Sequence, residues 1–148
     1  MSWIIQLGSA FFGAMGFAAL FNVRGNRLLP ASFGGMLAWG IYLLVKLWIP
    51  SDPIGYLIAT IVLTVYSEAL ARVYKTPAIL FTISGAIPMV PGGSLYNTMS
   101  YAVRCEWDAF LAQGIHTLLL APAIAVGILL TMSVWRVVQT LLSLKYDR

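Results

Sequence analysis

The chain has 148 residues, of which 60% are hydrophobic and only 9% charged. A soluble domain is nearer half apolar and a quarter charged, so this composition excludes an ordinary water-soluble globule and calls for a lipid-facing surface. The formal net charge of +4 comes from nine Lys and Arg scattered at the ends of apolar runs, which form no patch suited to nucleic acid.

At about 20 residues per span, five apolar runs can be read in chain order, over 2–22, 28–48, 54–74, 78–103 and 114–137. A single five-span membrane domain over 1–148 is expected. The first run lacks a positive n-region and is longer than a signal-peptide core, so it reads as a span. Ala10, Ala14 and Ala18 recur every four residues in it, as do Ala31/Gly35, Gly34/Ala38 and Ala121/Ala125 in later spans. Such spacing lets helix backbones approach closely in lipid. The connections read VRGNR, IPSDP, KTP and a longer RCEWDAFLAQ. Lys46, within a turn of the second span's end, is expected to snorkel.

In the third span Glu68 stands four residues before Arg72, the favourable order for an i,i+4 ion pair. An intramembrane carboxylate is equally a proton-coupling candidate. The fourth run is long enough to cross, yet carries Pro88, Pro91, Gly92 and Gly93 near its middle. Proline removes a backbone donor and clashes with the preceding turn, and glycine adds further cost. Such a break persists in lipid only where protein or a polar cavity covers it, and transporters build substrate sites this way. A half-helix starting at Ser94 is expected to present its N-terminus to an anion. Ser94 could serve as its cap or as a ligand donor, with Tyr96, Asn97 and Thr98 adding polar groups within a turn. The fifth run brings His116, whose side-chain type titrates near neutrality.

Lys and Arg bias sets orientation. Arg24, Arg27, Arg72, Lys75, Arg136, Lys145 and Arg148 share one side of this arrangement, and Lys46 and Arg104 the other. This predicts an outside N-terminus and a cytoplasmic C-terminus. Trp3, Trp48, Tyr56, Tyr101 and Trp107 then lie at the outer boundary as an aromatic belt. Cys105 is the single cysteine and His116 the single histidine, too few for a zinc site. With no nucleophile elbow, P-loop or metalloprotease motif, neither an enzyme nor a cofactor is expected.

The string SEALARVYKTPAILFTISGAIPMVPGGSLYNTM, from Ser67 to Met99, resembles the threonine/serine exporter family, specifically its C-terminal half or separately encoded small subunit. GFAALFN, from Gly16 to Asn22, is similar to the end of that family's first span. The resemblance implies a bacterial cytoplasmic-membrane exporter made of two five-span halves, fused or as two chains. The implied cargo is threonine, serine or a small dicarboxylate such as succinate. The family motif falls on Pro88, Pro91, Gly92, Tyr96 and Met99, with Glu68 and Arg72 upstream. Implied partners are a larger five-span subunit, the bilayer and a small anionic or zwitterionic substrate. A preceding half of five spans would end outside, where this chain begins, giving the opposite topologies of inverted repeats. Two other readings of the residues stay open: a homo-oligomeric channel or uniporter lined by VPGG loops, and a membrane assembly subunit that transports nothing.

Overall fold

The computed structural model describes residues 2–146, with side chains described as far as residue 141. Arg148 lies outside the described residues, as does the side chain of Lys145. The described chain is all α-helical. Helices α1 (Trp3–Leu20), α2 (Leu28–Trp48) and α3 (Asp52–Tyr74) are joined by short turns. Then come α4 (Ala78–Ala86), a 3-10 turn over Ile87–Met89, α5 (Gly92–Val103) and the 40-residue α6 (Trp107–Tyr146). Helices α1, α2, α3 and α6 are each long and apolar enough to cross a membrane. The α4–α5 pair, bent by 43°, is together long and apolar enough to make a fifth. Left-handed residues close three of the turns: Asn22 after α1, Lys75 after α3 and Cys105 after α5.

The contacts fix the order of directions. Ala14 meets Gly35 while Gln6 meets Trp39, so α1 and α2 are antiparallel. Asp52 meets His116, Thr60 meets Gly127 and Arg72 meets Trp135, so α3 and α6 run parallel. Between them α4 and α5 must return across the bundle. The break therefore interrupts a true crossing.

Packing rests on the small-residue ladders. Ala10, Ala14 and Ala18 are buried on α1, and Ala31, Gly34, Gly35 and Ala38 on α2. A Cβ added at Gly35 would stand 2.5 Å from the Ala14 Cβ, closer than carbon atoms tolerate. The Ala121/Ala125 ladder is different, because both residues face outward from α6 and no other described helix covers them. A central core joins Ala38 and Tyr42 of α2 with Tyr56, Ala59 and Leu63 of α3, Met89 and Leu120. Several buried hydroxyls are satisfied locally, as where Thr60 and Thr64 each donate to the carbonyl four residues back; Ser67 Oγ is buried without a partner among the described residues.

Two boundaries differ from the sequence expectation. Helix α3 begins at Asp52, with Pro53 inside its first turn, a position where the missing N–H costs nothing. Helix α6 begins at Trp107 and runs well past residue 137, so most of the connection RCEWDAFLAQ is helical. At 1.5 Å per residue α6 is about 60 Å long, roughly twice a hydrocarbon core. Its first two turns, interrupted by Asp108 at the positive end of the helix dipole and by Gln113, escaped an apolarity search.

Candidate functional site

At the break, α4 ends at Ala86, where Pro88 cannot supply the next helical N–H, and the 3-10 turn takes over. Val90 is extended, Pro91 occupies the N-cap position and α5 starts at Gly92. No side chain caps α5. The expected half-helix start at Ser94 is thus corrected by two residues. Ser94 lies inside the first turn and does not cap it, because Pro91 with φ −76° already hands the chain to the glycines.

Met89 is fully buried in the core beside the mid-helix residues Ala38 and Leu63, which places the break in the middle of the bundle. Pro88 points toward Gly35 and lines a cavity of about 270 Å³ with Gln6, Ser9, Gly13 and Trp39. There Trp39 Nε1 donates to Gln6 Oε1 at 3.2 Å. The bend carries α5 away from α1 and α2 and lays it on α6. Thr98 is buried in that seam, its hydroxyl 3.3 Å from Thr117 and donating to the Ser94 carbonyl at 2.8 Å. Gly92, Gly93, Tyr96 and Asn97 lie on the exposed side, with Tyr96 74% accessible.

The structure therefore does not gather the eight expected binding residues into one pocket. Pro88 faces the α1–α2 cavity and Thr98 the α6 seam. Pro91 and Ser94 are half-buried between them, and Gly92, Gly93, Tyr96 and Asn97 form an open face. Gln6 and Trp39 were missed. A glutamine in an otherwise apolar first span was the available signal for one of them.

Two polar clusters occupy opposite ends of the bundle. At the end where α1 stops, half-buried Glu68 lines a cavity of about 250 Å³ with Met132, Trp135, Arg136 and Gln139. The expected Glu68–Arg72 ion pair is not formed among the described residues. Instead the Arg72 guanidinium lies 4.8 Å from the Trp135 ring centre. The Gln139 side-chain oxygen, in the amide orientation that satisfies its neighbours, accepts from both Arg72 and Trp135 Nε1. A planar cation finds a ring face and an amide acceptor on α6, which outcompetes a neighbour on its own helix.

At the end where α1 begins, Lys46 does not simply snorkel. Its ammonium donates to Asp52 Oδ1 at 2.8 Å and to the Tyr42 hydroxyl at 3.1 Å, and that hydroxyl donates to the same Oδ1 at 2.8 Å. His116 Nε2 sits 3.2 Å from Asp52 Oδ2. Sequence reasoning singled out His116 but assigned Asp52, in the IPSDP connection, no role in a site. Its partners lie 6, 10 and 64 positions away along the chain, beyond any local pattern.

Comparison with known proteins adds one positive finding. The family model described as "Threonine/Serine exporter, ThrE" matches residues 6–134, which takes in α1 to α5, the break, both polar clusters except Gln139, Arg136 and Trp135, and most of α6. No curated protein and no solved structure matches the chain. With nearly its whole length matched and its helices long and apolar enough for several crossings, this multi-pass membrane protein belongs to the threonine/serine exporter family.

Proposed function

We propose that the chain is one half of a two-component exporter of threonine, serine or a small dicarboxylate, held in a bacterial inner membrane with a larger five-span partner. The carrying observation is the open face of the bent span. Gly92, Gly93, Tyr96 and Asn97 are exposed and no side chain caps α5. Hydrocarbon cannot satisfy such backbone, so a second protein surface has to cover it. Gly92 N–H already donates to the Val90 carbonyl at 2.7 Å, so the N–H groups of Gly93 and Ser94, with the helix dipole, are those that favour a carboxylate. Tyr96 and Asn97 add hydrogen-bonding groups within the next turn. Threonine, serine and succinate share the carboxylate this face suits. The partner would supply the opposite wall and exclude lipid.

Counterflow in proteoliposomes tests this reading. Exchange of threonine, serine or succinate is expected from the co-purified pair and from neither chain alone. Exchange or ion conductance by this chain alone would overturn the two-component reading in favour of a self-assembled channel. No exchange of any of the three by an intact pair would overturn the substrate class.

Orientation has its own measurement. Basic residues at the Arg24 and Lys75 turns and in the C-terminal part of α6, Arg136 and Lys145, support cytoplasmic placement of that end. In intact cells of a strain without the partner, exposed Cys105 is expected to react with an impermeant maleimide. A cysteine replacing Arg24 in a Cys105→Ser background is expected to react only after permeabilisation. The reverse pattern would invert the topology.

A further inference from the structure

The Lys46–Tyr42–Asp52–His116 cluster goes beyond the substrate face. Asp52 is the hub: Oδ1 accepts from Lys46 and Tyr42 of α2, and Oδ2 faces His116 of α6. Three helices thus converge on one carboxylate that is only 23% accessible. The second imidazole nitrogen, Nδ1, is buried and has no hydrogen-bond partner among the described residues. A neutral imidazole carries one donor and one acceptor nitrogen. Because a carboxylate can only accept, it selects the form with the proton on Nε2, and Nδ1 becomes the basic atom.

We infer that Asp52 and His116 form a proton-binding dyad, in which the carboxylate fixes His116 with Nε2–H donated to Oδ2 and leaves Nδ1 as the atom that accepts a proton. The groups around the ring are consistent with a reversible site. From α2 come Tyr42 and Lys46, from α3 Asp52 with Tyr56 behind it, 4.8 Å ring to ring from Tyr42. Helix α5 brings the uncharged Thr98 to Thr117, the residue after His116. Proton uptake leaves two cations, the imidazolium and the Lys46 ammonium, competing for one carboxylate. Lys46 is the more accessible, at 49%, and is the one free to move into water. Protonation therefore strengthens the hold of α6 on α3 at the expense of the Lys46 contact, while the Tyr42 hydroxyl of α2 stays on Oδ1.

His116 is the single histidine of the chain, so ¹⁵N-histidine NMR of the full protein in nanodiscs reads this site alone, provided the affinity tag contains no histidine. In the neutral imidazole, a protonated Nε2 and a bare Nδ1 are expected. Asp52→Asn should erase that preference, because a carboxamide can donate as well as accept. Lys46→Met should leave it in place, because Asp52 still accepts from Nε2. A dominant Nδ1–H form in the wild type, which needs no variant to fold, would overturn the dyad. So would a preference for Nε2–H that survives Asp52→Asn. None of these readouts requires transport, so failure here is distinguishable from failure of the exporter reading.

Discussion

Replacing Pro91, Gly92 and Gly93 together with alanine is expected to abolish transport while the protein still inserts and folds. Space permits it, because a Cβ at Gly92 or Gly93 meets nothing within 4 Å. Local energetics favour it, since each glycine-to-alanine change in a helix interior gains about 1 kcal/mol and removing a proline about 3 kcal/mol. Pro88 remains, but a lone proline leaves a kinked, continuous helix. Helix α5 should then extend backward toward Met89 and close the uncapped N-terminus into an ordinary turn. The groups that face the carboxylate would be consumed by intrahelical hydrogen bonds. Thermal unfolding of the detergent-solubilised variant should match or exceed wild type, while counterflow with the partner falls to background. Normal exchange by this variant would remove the break from the mechanism. A variant that fails to unfold cooperatively would show that the bend is needed for packing α5 on α6.

The features legible in the sequence were those written in local composition. Five crossings followed from apolar length. The interruption followed from four residues of poor helical propensity, and the α1–α2 seam from alanine and glycine every fourth position. Each depends on chain neighbours or on one helix face. What escaped depends on partners far along the chain. Asp52 reads as a turn residue beside Pro53 until Lys46, Tyr42 and His116 are brought to it. Arg72 reads as a partner for Glu68 until Trp135 and Gln139 arrive from α6 with a better surface for a guanidinium. The start of α5 was misjudged because two glycines suggest a loop. Once Pro91 has set the backbone, though, they can adopt helical geometry as the first two residues. The Ala121/Ala125 spacing shows the limit of ladder reasoning. It marks a face capable of close approach, and this chain does not use it internally.

Gly127→Ala is the second change with a large expected effect, although it adds a single methyl. Gly127 is buried where α6 runs along α3. An added Cβ would collide with Thr60 Oγ1 and stand 2.9 Å from the Leu57 carbonyl oxygen. The Thr60 hydroxyl cannot readily turn away, because its one proton is held between the carbonyls of Tyr56 and Leu57. The Leu57 carbonyl is backbone in the middle of α3. Relief therefore requires α6 to move off α3, and overpacking of this kind costs about 1–3 kcal/mol. Gly114→Ala is the matched control on the same helix, where the nearest atom, Thr98 Cγ2, is at an ordinary 3.6 Å. Both substitutions gain the same intrinsic helix propensity, about 1 kcal/mol, so their difference isolates the packing. Unfolding in detergent should show Gly114→Ala at or above wild-type stability and Gly127→Ala clearly below it. Equal stability of the two would mean that the α3–α6 seam is looser than its geometry states. Because α3 and α6 run parallel, a shift at Gly127 also displaces the helix that carries His116. The variant should accordingly weaken the Asp52–His116 contact, which the imidazole signal would report directly.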